Sequence, residues 1–364
     1  MSRLNINRLT NENEDGSPKI TGITTFSSTA FLEAPKGTTA QRPENVAPGM
    51  IRFNTDSGHL EYYTGEFWDE VLVANNTLDG GNRGLFGGGQ TPSYTNTIDY
   101  ITISTLGNAA TFGSLTQSKN ALAACSSSTR GVFGGGQTPA LSNVIEYVTI
   151  SSTGNATSFG SLSQAKAGLS ACSSSTRGVF GGGASPTAIN VIEYITIEST
   201  GNAIDFGDLT SSRYYFSACS SSTRGVFGGG TTPDVNIIEY ITISTTGNVI
   251  DFGDLTQARS QLGSCSSSTR GIWAGGFPAV NIIDFITLSS VGNAIDFGDL
   301  TQARLALSGC SSSTRGVFGG GYAPSEVNTI DYITISTVGN ASDFGDLTEV
   351  KKTIAACSNG HGGL

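Results

Sequence analysis

Six cysteines, at positions 125, 172, 219, 265, 310 and 357, recur every 45 to 47 residues, each carrying almost the same text behind it. Cys219-SSSTRGVFGGG, Cys265-SSSTRGIWAGG and Cys310-SSSTRGVFGGG are near copies, LDGGNRGLFGGG is an altered copy ahead of them, and Cys357-SNGHGGL is a truncated one. So regular a spacing marks a structural repeat. It restricts the chain to an array of one small unit, because a unit of this length cannot hide its apolar surface without neighbours. The same spacing argues against a disulfide framework, since equivalent positions in successive repeats stand farther apart than the roughly 4.4–6.8 Å that separates bridged Cα atoms. There is no CxxC pair, and the two histidines, His59 and His361, lie far apart, so no metal site is expected. The expectation is a small buried thiol packed once per repeat.

One repeat, read over residues 259–304, divides into four extended segments. Residues 259–266 lead into a Ser-Thr-Arg-Gly turn, and 271–276 form a short strand closed by glycines. Residues 281–289 are rich in β-branched side chains and apolar on both alternating faces, Ile283 and Phe285 on one, Ile282, Ile286 and Leu288 on the other. After Gly292-Asn293, read as a tight hairpin, residues 294–300 make the fourth strand. The unit is a four-stranded antiparallel meander that must be covered on both faces, and such sheets stacked radially make an all-β propeller.

Ala303-Arg304, Cys310-SSSTRGVFGGG, Ile330-Asp331-Tyr332 and Asp343-Phe344-Gly345-Asp346-Leu347 together resemble a kelch repeat. The departure is Phe112, Phe159, Phe206, Phe252, Phe297 and Phe344, where kelch proteins usually carry Trp. The resemblance covers residues 83–364. The first repeat begins at its second strand, Arg83-GLFGGG, whereas a spare first strand, 353–358, follows the last. Donating that strand to the first blade implies a kelch-like β-propeller of six blades, not seven, closed by the C-terminal strand.

Residues 1–75 carry none of the repeat text, and 76–82 read as a linker. Within the first segment, 50–73 read as a small β-hairpin or three-stranded module, preceded by a polar stretch with little capacity for a core. PGMIRFNTDSGHLEYYTGEFWDEV is similar to a short module of virion structural proteins from tailed bacteriophages, especially cyanophages, where it occurs in fibre-like proteins. That resemblance implies a virion protein made in the infected host cytoplasm and attached to other virion proteins through an extended N-terminal segment. It also implies association into homotrimers, with a host-surface glycan or protein as partner.

The chemistry expected of the rest is sparse. Nineteen Lys and Arg against 29 Asp and Glu give a net charge of -10 without a basic run, a poor match to nucleic acid. No apolar stretch approaches the roughly 20 residues of a membrane-spanning helix, and the N-terminus lacks the apolar core of a secretory signal. No His/Asp/Ser set lies within the repeats, and the Arg-Gly runs lack the Gly-Lys-Ser/Thr of a phosphate loop, so neither an enzyme nor a cofactor is expected. The DFGD acids (Asp205/Asp208, Asp251/Asp254, Asp296/Asp299, Asp343/Asp346) largely accompany Arg213, Arg259 and Arg304, with Lys351 in the last blade. They are expected to form Asp–Arg pairs at the blade edge. Arg83, Arg130, Arg177, Arg224, Arg270 and Arg315 are expected to support their turns or the neighbouring blade.

The loops between second and third strands (QTPSYTN, QTPALSN, ASPTAIN, TTPDVN, FPAVN, YAPSEVN) vary while the turns at the other end hardly do. The expected binding face therefore carries Tyr94, Phe277 and Tyr322, with Tyr214 and Tyr215 from SSRYYFSA; Phe216 in the same segment could equally cap a blade core. The functional expectation is a non-enzymatic phage virion protein, fibre-like, displaying a propeller for host-surface recognition or assembly. The alternatives are a carbohydrate-active enzyme on a propeller scaffold and a cytosolic kelch-like adaptor.

Overall fold

The third strand of each repeat is the apolar spine around which its sheet assembles. In the computed structural model, which describes residues 34–70 and 82–364, Val280–Thr287 lies between Arg270–Ala274 and Ile295–Arg304, with Gly263–Ser266 beyond. The same antiparallel order recurs in six sheets, each with a first, second, third and fourth strand side by side. In one of them the first strand comes from the far end of the chain: Ala355–Ser358 pairs with Arg83–Gly87, setting Cys357 opposite Leu85. A seventh four-stranded sheet belongs to the N-terminal unit. The protein is thus all-β and propeller-like, with one 3-10 turn, Thr39–Gln41, among the described residues.

The chain divides into two compact units, Met1–Asn75 and Asn76–Leu364. Of the expected N-terminal segment over 1–75, residues 1–33 and 71–75 lie outside the described residues, as does the expected linker except Asn82. In the N-terminal unit Ile51–Asn54, His59–Tyr63 and Trp68–Glu70 form an antiparallel meander, and Lys36–Gly37 adds a short parallel strand. Its pleat is inverted relative to an ordinary half-buried sheet. Arg52, Asn54 and Glu61 are buried, Glu61 gripped by Arg42 at 2.6 Å and by Asn54 at 3.1 Å. Ile51, Phe53, Tyr62 and Phe67 are exposed.

In the larger unit the core lies between sheets. Each apolar cluster joins two successive repeats; Phe86, Ile101 and Ile103 of the first pack with Cys310, Val317 and Phe344 of the last. The glycines of the Arg-Gly text make this close approach possible. A Cβ on Gly225 would stand 2.5 Å from Cys172 Sγ of the preceding sheet, and one on Gly181 would stand 3.1 Å from the Phe227 ring of the next. All six cysteines are free and buried, as their once-per-repeat spacing leads one to expect, and burial pushes the Cys172 and Cys357 thiols up to about 12.

Two sequence expectations are corrected. The basic residues after the fourth strands do not pair with the DFGD acids. They pair with acids in the middle of the third strands: Lys119 with Glu146, Lys166 with Glu193, Arg213 with Glu239, Arg259 with Asp284, Arg304 with Asp331 and Lys351 with Asp99, at 2.5–3.1 Å. Every member is buried, whereas Asp205, Asp251, Asp296 and Asp343 are exposed. The physical reason is burial: the third-strand acids are enclosed and need a cation, whereas the first DFGD acids stand exposed on the outermost strand, where a bulge inserts an extra residue, as Phe297 between the pairs Ile283–Gly298 and Asp284–Asp296. Each carboxylate also accepts an N–H from the residue closing the preceding repeat, for example Thr256 N to Asp284 at 3.2 Å and Thr348 N to Asp99 at 3.4 Å.

The second correction concerns Gly-Asn: Gly292 does take a positive φ of +151°, but the tight turn is made earlier, by Ser290 N donating to Thr287 O at 3.2 Å, and the asparagine is a clamp between sheets. Asn293 Oδ1 accepts from Asp254 N at 3.1 Å, and Asn108 Oδ1 accepts from Asp346 N at 3.0 Å. Beside it the backbones nearly touch, so a Cβ on Gly253 would meet the Gly292 carbonyl at 2.5 Å.

Candidate functional site: an axial funnel beneath the variable loops

The first strands stand side by side, and their small side chains border a common bore. Ala124, Ala171, Ala218, Ser264, Gly309 and Ala356 line it in one layer, and just beyond lies a cycle of serines. Ser126 Oγ donates to Ser358 O, Ser173 to Ser126, Ser220 to Ser173, Ser266 to Ser220, Ser311 to Ser266 and Ser358 to Ser311, all at 2.6–2.8 Å.

The segment after the last strand enters this end of the bore. His361 Nε2 lies 3.1 Å from Ser126 O and 3.3 Å from Ser173 Oγ, and Gly363 N donates to His361 Nδ1 at 3.0 Å. The ring is therefore the neutral tautomer with its proton on Nε2, because Nδ1 accepts. Although it keeps some solvent contact, protein surrounds it, and burial lowers its pKa to about 4. Gly362 N donates to Ser266 O at 3.1 Å, and a Cβ on Gly362 or Gly363 would collide with serine carbonyls of the wall.

At the other end the residues four before each cysteine form a second cycle. Ala121 N donates to Thr353 O, Gly168 to Ala121, Tyr215 to Gly168, Gln261 to Tyr215, Ala306 to Gln261 and Thr353 to Ala306, at 2.7–3.0 Å. All six residues are left-handed, with φ between +51° and +65°, although only Gly168 is glycine. Below them opens a funnel of about 100 Å³ bordered by Tyr215, Gln261, Thr353, Ser217, Ser264 and Ser308 among others. No Lys, Arg, His, Asp or Glu is among its lining residues.

The expected binding-face residues are distributed unevenly around this mouth. Tyr214 and Tyr215 touch at 5.0 Å between ring centres, and Tyr215 lies across Gly168 of the neighbouring repeat. Burial, with the phenols of Tyr214 and Tyr94, raises the Tyr215 pKa, although Tyr94 stands on a loop of the first sheet, in another repeat from the Tyr214–Tyr215 pair. Phe277, exposed, and Tyr322, half-buried under the Lys352 ammonium at 4.6 Å, stand on the loops of other repeats and do not join it. The variable loops are tied to the segments bearing the mouth residues by bridges such as Tyr214 to Thr231, Ser260 to Phe277 and Leu305 to Tyr322. Phe216 is buried edge-on against Phe227 at 6.0 Å and serves as a cap.

The turn arginines are structural. Arg224 Nη1 donates to Leu288 O of the next sheet at 2.8 Å while its guanidinium lies over Tyr240, and Arg315 reaches Ile103 O in the same way. Sequence reasoning passed over the buried third-strand acids, the histidine in the bore and the left-handed ring. No protein-family model matches the chain, and no curated protein matches it.

Proposed function

We propose that the chain is a non-enzymatic virion structural protein of a tailed bacteriophage, fibre-like, that displays a six-bladed kelch-like propeller on an N-terminal attachment module. Six blades closed by Ala355–Ser358 is the reading favoured by the hydrogen bonds, because the serine cycle and the mouth cycle both return to their first member after six steps. The attachment role draws on the inverted sheet of the N-terminal unit. A single sheet layer with Ile51, Phe53, Tyr62 and Phe67 facing outward is a face that needs a partner, and a virion protein or further copies in a homotrimer would cover it.

The observation that carries recognition is an asymmetry. The interblade clamps repeat six times, whereas the loops around the mouth differ in length and side chain, and the Tyr214–Tyr215 pair stands in one repeat alone. A scaffold that repeats everywhere except at one face is suited to a ligand without that symmetry, such as a host-surface glycan or protein. Mass spectrometry of dissected particles tests the reading: the chain is expected in a fibre or baseplate fraction, and its absence from purified particles would overturn it. Replacing Tyr94, Tyr214, Phe277 and Tyr322 together by Ala is expected to weaken adsorption to host cells or docking to a virion partner with folding intact.

A further inference from the structure

We infer that the funnel is a subsite for the terminal residue of a neutral glycan, entered end-on from the variable face. The inference rests on the recognition reading above and adds to it a location, an orientation and a ligand class.

The orientation follows from the plug. His361, Gly362 and Gly363 occupy the serine end of the bore, hydrogen-bonded to Ser126 and Ser266, so a ligand has one way in. A groove open at both ends can hold the middle of a polymer, but a blind funnel accepts only an end. At about 100 Å³ it is somewhat smaller than the roughly 150 Å³ cavity that takes a benzene ring, room for part of one sugar ring and not for a run of them.

The ligand class follows from the lining. Hydroxyl and amide groups of Tyr215, Gln261, Ser308 and Thr353 can exchange hydrogen bonds with sugar hydroxyls, and the tyrosine ring offers a flat face for sugar C–H groups. The lining carries no cation to pair with a carboxylate, and the chain's net charge of -10 disfavours acidic sugars further.

The mouth also has the marks of a built site. Alanine, glutamine, threonine and tyrosine are held in the left-handed region where glycine would be at ease, a strain tolerated chiefly at functional positions. Tyr215 is the one aromatic in that ring, and Gly168 leaves room for it: a Cβ there would stand 3.2 Å from the Tyr215 ring.

The test uses the full chain with methyl glycosides of glucose, galactose and mannose, N-acetylglucosamine, glucuronate and N-acetylneuraminate, followed by saturation-transfer NMR and calorimetry. Saturable binding of at least one neutral probe is expected, weak as befits a single sugar, with no binding of the acids. Tyr215→Ala should reduce affinity at least about tenfold. Ala306→Tyr, which places a second ring at a mouth position with the backbone Tyr215 already adopts, should abolish binding while the protein still melts cooperatively. Absence of saturable binding by every neutral probe, equal binding of an acidic sugar, or unchanged binding in folded Ala306→Tyr would overturn the subsite. Cell adsorption measured on the same variants separates the two claims. Adsorption without sugar binding removes the subsite and leaves the recognition reading, whereas sugar binding by a chain missing from particles does the reverse.

Discussion

Replacing Asp284 by Asn separates the observed charge pairing from the one the repeat text suggests. Asp284 and Arg259 are fully buried, 2.8 Å apart, and the carboxylate also accepts from Thr256 N at 3.2 Å and Thr256 Oγ1 at 2.7 Å. Asn preserves the shape and one acceptor but leaves the guanidinium without a counter-charge, beside the carbonyls of Ile282 and Trp273 at 3.0 and 3.5 Å. Breaking a buried pair by removing one partner costs about 3–5 kcal/mol. That is a large share of the roughly 5–15 kcal/mol that holds a domain folded. At about 2 °C per kcal/mol for a unit of this size, the melting temperature should fall by about 6–10 °C. Asp251→Asn, at an exposed acid of the same repeat, should stay within about 0.5 kcal/mol. Adding Arg259→Met to Asp284→Asn should recover part of the loss, because the uncompensated charge is then gone. Thermal and urea unfolding of the four proteins decide the matter. Equal effects of Asp284→Asn and Asp251→Asn, or a double variant less stable than Asp284→Asn alone, would refute the reasoning.

Further outcomes follow from the packing and the plug. Gly225→Ala should cost about 1–3 kcal/mol by overpacking against Cys172, and a Cys172→Ala background should relieve much of that in a double-mutant cycle of urea unfolding. Because the docked His361 has a pKa near 4, below the ordinary value of 6.5, the undocked tail binds more protons between those values. Docking should therefore be complete above pH 6.5 and be lost as pH falls toward 4, by at most about 3 kcal/mol. An NMR titration of the imidazole in a His59→Gln background checks this, and a midpoint at or above 6.5 would contradict it. Gly362→Ala should release the same tail at neutral pH, seen as faster carboxypeptidase trimming, since its Cβ has no room against the Ser267 and Ser220 carbonyls.

Much of the architecture was legible because the text repeats. Cysteine spacing gives the unit, alternation in residues 281–289 gives a strand covered on both sides, and the spare segment after the last repeat points to the strand that pairs with Arg83–Gly87. The charge pairs were misread because an acid inside an apolar strand looks like a polar interruption, while DFGD looks like a motif. A sufficient signal was nonetheless present. The fourth strands just ahead of Lys119 and Lys166 read TFGS and SFGS, without the DFGD acids, while Glu146 and Glu193 stand in the third strands that follow, so only the third-strand acid accompanies the base every time. The funnel was harder to foresee, since Ala121, Ala306 and Thr353 carry no local mark of a left-handed backbone. Proximity to a shared axis is a property of the assembled repeats, which is also why His361 looked isolated.

The most direct measurement of closure is the stability of a chain ending at Lys352. Such a chain keeps Lys351, which pairs with Asp99, but loses Ile354, Ala355 and Cys357 from the core, the pairing to Arg83–Gly87, and Ser358, through which the serine cycle returns to Ser311. If the C-terminal strand seals a six-bladed ring, the truncated chain should lose its cooperative melt, or melt far below the full-length protein, and the amides of Gly84 to Gly87 should exchange rapidly with deuterium. A truncated chain that melted cooperatively at the full-length temperature, with those amides still protected, would contradict it.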